Sequence, residues 1–147
     1  MDRTACRRAT AGAGSVTWGE PLLQSGMGGC PWRTAVASML CVRTRRYQAE
    51  PVLRMLLEQW PSAADLARAS AEELYSLLQP LGLARSRVRQ LQRFSVEYLA
   101  DWWDNLEELT GVGTYVGDAV ELVCNGARTL RCSDTALHAE LQRRMVL

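Results

Sequence analysis

The apolar positions of this chain recur with helical spacing, broken at intervals by proline and glycine. From Leu106 to Cys124 the residues LEELTGVGTYVGDAVELVC read as a short helix, a glycine turn and a second helix. Leu106 and Leu109 give the first part an apolar edge. Beyond the turn, Val116, Ala119, Val120, Val123 and Cys124 fall on one face of an amphipathic helix. Gly111 and Gly113 flank Val112, and glycine tolerates the positive φ and close approach that a tight turn requires.

The same reading extends along the chain. Pro31 suits the first turn of a helix whose buried stripe is Trp32, Ala35, Val36, Met39 and Leu40, ending near a cluster of Arg43, Arg45 and Arg46. Val52, Leu53, Leu56, Leu57 and Trp60 define a second helix, which Pro51 either kinks or begins and Pro61 ends. Ser62 is placed to cap a short turn, and Ser70 with Glu73 forms a capping-box pair opening the next helix. After the break at PLGL, Val88, Leu91, Phe94, Tyr98 and Trp102 are expected inward, with Arg85, Arg89 and Arg93 on the opposite side. A last helix from Asp134 carries Leu137, Leu141 and Met145 on one face. No segment alternates as a strand does, so the fold class is all-α, a helical bundle without internal repeats. Residues 1–18 are expected to be a disordered lead-in and 19–147 the folded domain.

Composition narrows the chemistry. With 147 residues, 48% hydrophobic and 22% charged, the chain suits one globular domain. No apolar run reaches membrane-span length and the first residues lack a secretory apolar block, so no membrane association is expected. The five cysteines form no CxxC, which argues against a metal or disulfide framework and for an intracellular setting. A net charge of +1 conceals an asymmetry: thirteen arginines face seven acids in residues 1–93, whereas residues 94–127 hold seven acids and no base. All seventeen basic residues are arginine. Without lysine, no side chain supplies an amine nucleophile.

Three polar features stand out. The Gly-x-Gly turn leaves amide N–H groups of Gly111, Val112, Gly113 and Thr114 near a helix N-terminus, an arrangement that suits a backbone phosphate and equally an ordinary capped hairpin. Asp134 stands at the start of the last helix, as an N-cap or as a carboxylate able to stabilise a developing cation. Gln24 lies in a glycine-rich loop, on the surface or lining a pocket. His138 and Ser133 are too close to Asp134 in sequence to form a triad, and His138 is expected at the surface.

These stretches resemble a known family. LTGVGTYVGDAV is similar to the hairpin of the helix-hairpin-helix DNA glycosylases related to endonuclease III, in which a catalytic Asp follows some twenty residues on. Here Asp134 follows Gly113 by 21 residues. The resemblance runs through PWRTAVASMLCVRT, PSAADLARAS, LLQPLGL and FSVEYL, over roughly residues 20–147. Within the superfamily it is strongest toward the glycosylase domain of methyl-CpG-binding domain protein four.

The resemblance implies removal of thymine, uracil or a 5-substituted uracil mispaired with guanine, in base excision repair. It places Asp134 as the catalytic carboxylate and Tyr115 and Gln24 in the base pocket. Arg43 and Leu83 become the side chains that enter the duplex, and Gly111, Val112, Gly113 and Thr114 the phosphate-binding hairpin. Tyr115 stands where bifunctional relatives carry lysine, so a monofunctional hydrolase without lyase activity is expected. The implied partner is double-stranded DNA carrying a mispaired or damaged base, bound by a monomer in the nucleus or nucleoid. The cysteine motif of the iron–sulfur relatives is absent, so no cluster is expected, while a monovalent cation at the hairpin stays open. Thr110 replaces the usual hairpin proline and Thr114 a frequent basic residue. Competing readings are a non-catalytic DNA-binding module and a relative acting on a modified pyrimidine.

Overall fold

The computed structural model describes residues 1–146 and, among them, shows eight α-helices, three short 3₁₀ turns and no strand. They are α1 (Arg3–Ala11), α2 (Pro31–Cys41), α3 (Arg46–Gln59), α4 (Ala63–Ala67), α5 (Ala71–Leu78), α6 (Ala84–Leu99), α7 (Thr114–Asn125) and α8 (Thr135–Val146). The all-α class read from the periodicity is the observed one.

Helix α2 is the axis of the molecule. Nine of its eleven residues are buried, as a helix surrounded on all sides requires. Trp32 sits at its start, and its indole N–H donates to Ser95 Oγ of α6 at 3.0 Å, so the one polar atom of a large buried ring is satisfied. Helices α3 to α6 complete the main core with Leu53, Leu56, Leu66, Leu74, Leu91 and Phe94. Ser62 and Ser70 cap α4 and α5 by accepting the N–H groups of Asp65 and Glu73. A smaller cluster, Leu22, Ala119, Leu122 and Leu137, joins α7 to α8.

Four expectations are corrected. The lead-in is not disordered over its first residues: Asp2 caps α1 by accepting from Ala5 N at 2.7 Å, and Cys6 is fully buried. The helix is tied down by Arg3 N donating to Asp104 O and by a 2.6 Å hydrogen bond between the Thr10 and Tyr98 hydroxyls. The following loop is pinned where Arg33 reaches Gly14 O at 2.7 Å. Pro51 does not begin α3. That helix starts at Arg46 and runs through the proline. Trp102 is 57% exposed and Trp103 takes the inward place at 1%, because α6 ends at Leu99 and the extended Ala100 resets the register. Met145 is 61% exposed, since α8 buries only its first turns.

Candidate DNA-facing site

Tyr115 packs against both hydrophobic clusters and so lies at the seam between the two halves of the fold. Its hydroxyl accepts a hydrogen bond from Gln24 Nε2 at 2.8 Å. Gln24 is held in a 3₁₀ turn, Leu23–Gly26, and is only 1% exposed. Burial, with Cys41 and Asp134 next in effect, pushes the Tyr115 hydroxyl well above its ordinary value, so it stays neutral. Burial and then Asp134 likewise push the Cys41 thiol up to about 11. Asp134 stands one turn before Leu137 of the smaller cluster on which Tyr115 packs, and Cys41 packs on the main one. The Cys41 and Cys124 thiols are half-buried and protonated at neutral pH.

Asp134 does cap α8: Oδ2 accepts from Leu137 N at 2.9 Å. Among the described residues, Oδ1 has no hydrogen-bond partner. The loop before it is built around α7. Asp118, 4% exposed, accepts the N–H groups of Arg131 and Cys132 on one oxygen at 2.7 and 2.8 Å, and Arg131 Nε on the other at 3.0 Å. Arg131 also pairs with Glu107. A methyl group at position 117 would displace the Glu107 carboxylate from its place beside Arg131. His138 is exposed as expected, but its Nε2 donates to Cys132 O at 2.7 Å. The cap is thus approached by a loop fixed at three points.

Arg43 and Leu83 lie together at the rim of a depression of about 310 Å³ whose lining also includes Ser86, Gln90 and Gly111. They are the two non-glycine residues with positive φ among the described residues, at 57° and 54°. A left-handed backbone costs such residues about 1–2 kcal/mol each. Both side chains are exposed, Leu83 at 58%. Gly111 turns the hairpin with φ 81°, and its hydrogen faces Gln90, whose Cγ lies 2.6 Å from where a Cβ would stand. Val112 is buried as the anchor of the turn, and Gly113 precedes the first turn of α7, with Thr114 exposed. Hairpin and left-handed pair thus border one concave surface.

The acidic segment around the hairpin is largely spent on internal partners. Glu97 accepts Thr110 N at 2.8 Å and faces Arg93, Asp101 pairs with Arg7, and Glu107 and Asp118 share Arg131. Glu108 accepts the N–H groups of Asp104 and Asn105 at 2.8 and 2.6 Å. These pairings reduce the repulsion that seven uncompensated acids would present to a phosphate backbone.

An all-helical fold with a glycine hairpin leading into α7 has the form of a helix-hairpin-helix protein. The HhH-GPD superfamily of base excision DNA repair proteins matches residues 36–145, and the chain belongs to it. It is 36% identical over 115 residues to the methyl-CpG-binding domain protein 4-like protein of Arabidopsis thaliana, covering 75% of this chain and 26% of that one. It is 34% identical over 116 residues to the thymine/uracil-DNA glycosylase of Pyrobaculum aerophilum, covering 74% and 50%. The endonuclease III of Thermotoga maritima is 33% identical over 97 residues, covering 61% and 46%. The chain therefore spans from about a quarter to half the length of these relatives.

The sequence marked Asp118 only as the last residue of the shared stretch GVGTYVGD, with no role, and did not mark Arg131 or Arg87. Asp118 left a signal, a charge set within the apolar run Val116–Val120. Arg131 and Arg87 left none, because their partners are carboxylates and backbone carbonyls distant in sequence.

Proposed function

We propose that this chain is a monofunctional DNA glycosylase hydrolysing the N-glycosidic bond of thymine, uracil or a 5-substituted uracil mispaired with guanine. The observation that carries this reading is the part-buried Gln24–Tyr115 hydrogen bond at 2.8 Å, where Tyr115 packs on the cluster that holds Leu137, whose N–H Asp134 caps. A stacked base must leave the duplex before its glycosidic bond is reachable. Arg43 and Leu83 fill the vacancy, and the amides at the α7 N-terminus hold a phosphate. With one Nε2 hydrogen on Tyr115, Gln24 keeps Oε1 and its second hydrogen for a pyrimidine edge, matching the N–H and O pattern of thymine or uracil. As the C1′–N1 bond breaks, its electron pair leaves with the base and the sugar gains oxocarbenium character. The Asp134 carboxylate stabilises that charge while water adds at C1′.

The test is a gel assay of duplexes carrying T, U or 5-hydroxymethyluracil opposite G, beside fully paired controls. Because every basic residue is arginine, base release is expected without strand nicking until alkali is added. Direct nicking, or a complex trapped by borohydride, would contradict the monofunctional assignment. Cleavage of 5-hydroxymethyluracil alone would move the substrate to a modified pyrimidine. The 1% exposure of Gln24 favours a second reading, a DNA-binding module without catalysis, since a base reaches that amide only by displacing what covers it. Tight binding of the mispaired duplex with no base release identifies that case.

Arg43→Ala is expected to lower release from a mispaired duplex on the order of tenfold while sparing a single-stranded uracil oligonucleotide, which has no vacancy to fill. Equal losses on both substrates would place Arg43 in phosphate binding instead.

A further inference from the structure

We propose that Arg87 is a positioning residue that holds both duplex-entering side chains, Arg43 and Leu83, by fixing the peptide units that precede them. The inference rests on the wedge role given to that pair above. Arg87 lies in the first turns of α6 and is 5% exposed. Among the described residues no carboxylate pairs with it, and its partners are backbone carbonyls. Nε donates to Gly82 O at 2.9 Å, Nη1 to Met39 O at 3.1 Å and Nη2 to Val42 O at 2.9 Å.

The choice of carbonyls gives the arrangement its meaning. A carbonyl oxygen lies in the peptide plane that includes the next residue's nitrogen. Holding Val42 O therefore sets the plane entering Arg43, and holding Gly82 O sets the plane entering Leu83. Those are the two residues with φ of 57° and 54°, a region L-residues seldom occupy unless their surroundings impose it. One guanidinium thus clamps two segments about forty residues apart in sequence at the positions where each turns left-handed.

A simpler role is available: a cation at the C-terminal end of α2 satisfies carbonyls that helix ends leave unpaired. That role accounts for Met39 O and Val42 O. It does not account for Gly82 O, which precedes the first residue of α6. The planar fork of arginine reaches all three carbonyls, whereas lysine offers a single point of charge.

The experiment compares binding to two duplexes by fluorescence anisotropy. One carries a tetrahydrofuran abasic analogue opposite guanine, which presents a vacancy, and the other is fully paired. Wild type is expected to prefer the abasic duplex, and Arg87→Lys to reduce that preference on the order of tenfold, leaving the paired duplex unaffected. An Arg43→Ala, Leu83→Ala variant should lose the preference too, and adding Arg87→Lys to it should change nothing further. Retained preference in Arg87→Lys, equal weakening on both duplexes, or additive losses would overturn the proposal, as would a wild type with no preference.

If Arg87→Lys alone does not fold, the same change is made where Arg43 and Leu83 are both glycine, which takes positive φ without strain. Arg87→Lys should then lower the glycine parent's melting temperature only by the few degrees that loosening the Met39 and Val42 carbonyls costs. A large drop there assigns Arg87 to the core and rejects the positioning role. Base release is not read in this test. A wild type that prefers the abasic duplex yet releases no base removes the glycosylase reading and leaves this one standing.

Discussion

Asp134→Asn is expected to cut base release on the order of 10²-fold or more while leaving duplex binding and the melting temperature unchanged. Asp134 Oδ2 accepts Leu137 N at 2.9 Å, and asparagine offers an equivalent oxygen to that N–H, so the start of α8 survives. The charge does not survive, and with it would go the stabilisation of an oxocarbenium-like state that we propose for this carboxylate. Removing one preorganised electrostatic partner costs about 3 kcal/mol in related settings, which is the stated loss of rate. Asp134→Ala separates the two roles: it should lose the same activity and in addition about 1 kcal/mol of stability, the ordinary cost of removing a cap. Single-turnover release and thermal melts on both variants decide the matter. Wild-type turnover in the asparagine variant would leave Asp134 a cap and nothing more.

The largest stability effect is expected at Asp118. Alanine there strips three hydrogen bonds at once, two from the Arg131 and Cys132 amides and one from the Arg131 guanidinium. Leaving such donors unmatched beside a buried position costs about 3 kcal/mol. For a chain of this size that is a fall of about 10 °C in melting temperature. Activity should fall further than stability, because the freed residues lead directly into Asp134. Asp118→Asn should lie between the two, since one oxygen still serves both amides. A melt of Asp118→Ala within about 2 °C of wild type would show that the loop is held by Arg131–Glu107 and His138 without it.

The same carboxylate makes an acid-dependent contribution. Burial alone would push Asp118 up, but the Cys132 and Arg131 N–H groups and the Arg131 side chain together hold it below the usual value. A carboxyl depressed in the folded state stabilises fully above its unfolded value, near pH ~4, and that contribution is lost as pH falls through the folded value. The stability gap between wild type and Asp118→Asn should therefore be widest near neutrality and narrow in acid.

Much of the helical framework was legible because each helix that packs on the core writes its buried stripe into the sequence. Trp32 with Val36, and Val88 with Leu91, carry that signal, and the serine caps mark two of the starts. Where the stripe is missing, so was the helix: α1 buries only Cys6, and its order comes from contacts to residues 98–106. Trp102 was misplaced because periodicity says nothing about where a helix ends, and Ala100 shifts the register by one.

By itself the sequence determined the helical class, the absence of a side-chain amine, the glycine hairpin and the motifs that mark the superfamily. Each of these is local, set by residue type or by spacing within a turn or a helix. Only the tertiary structure decided which polar groups meet. Gln24 and Tyr115 are 91 residues apart, Arg87 bonds carbonyls 45 and 48 residues before it, and Asp118 fixes a loop 13 residues on. Such pairings follow from how helices cross and which carbonyls their ends expose, and hydrophobic periodicity does not encode that geometry. The left-handed turns at Arg43 and Leu83 belong to the same class, since neither residue type favours them and the surrounding packing imposes them.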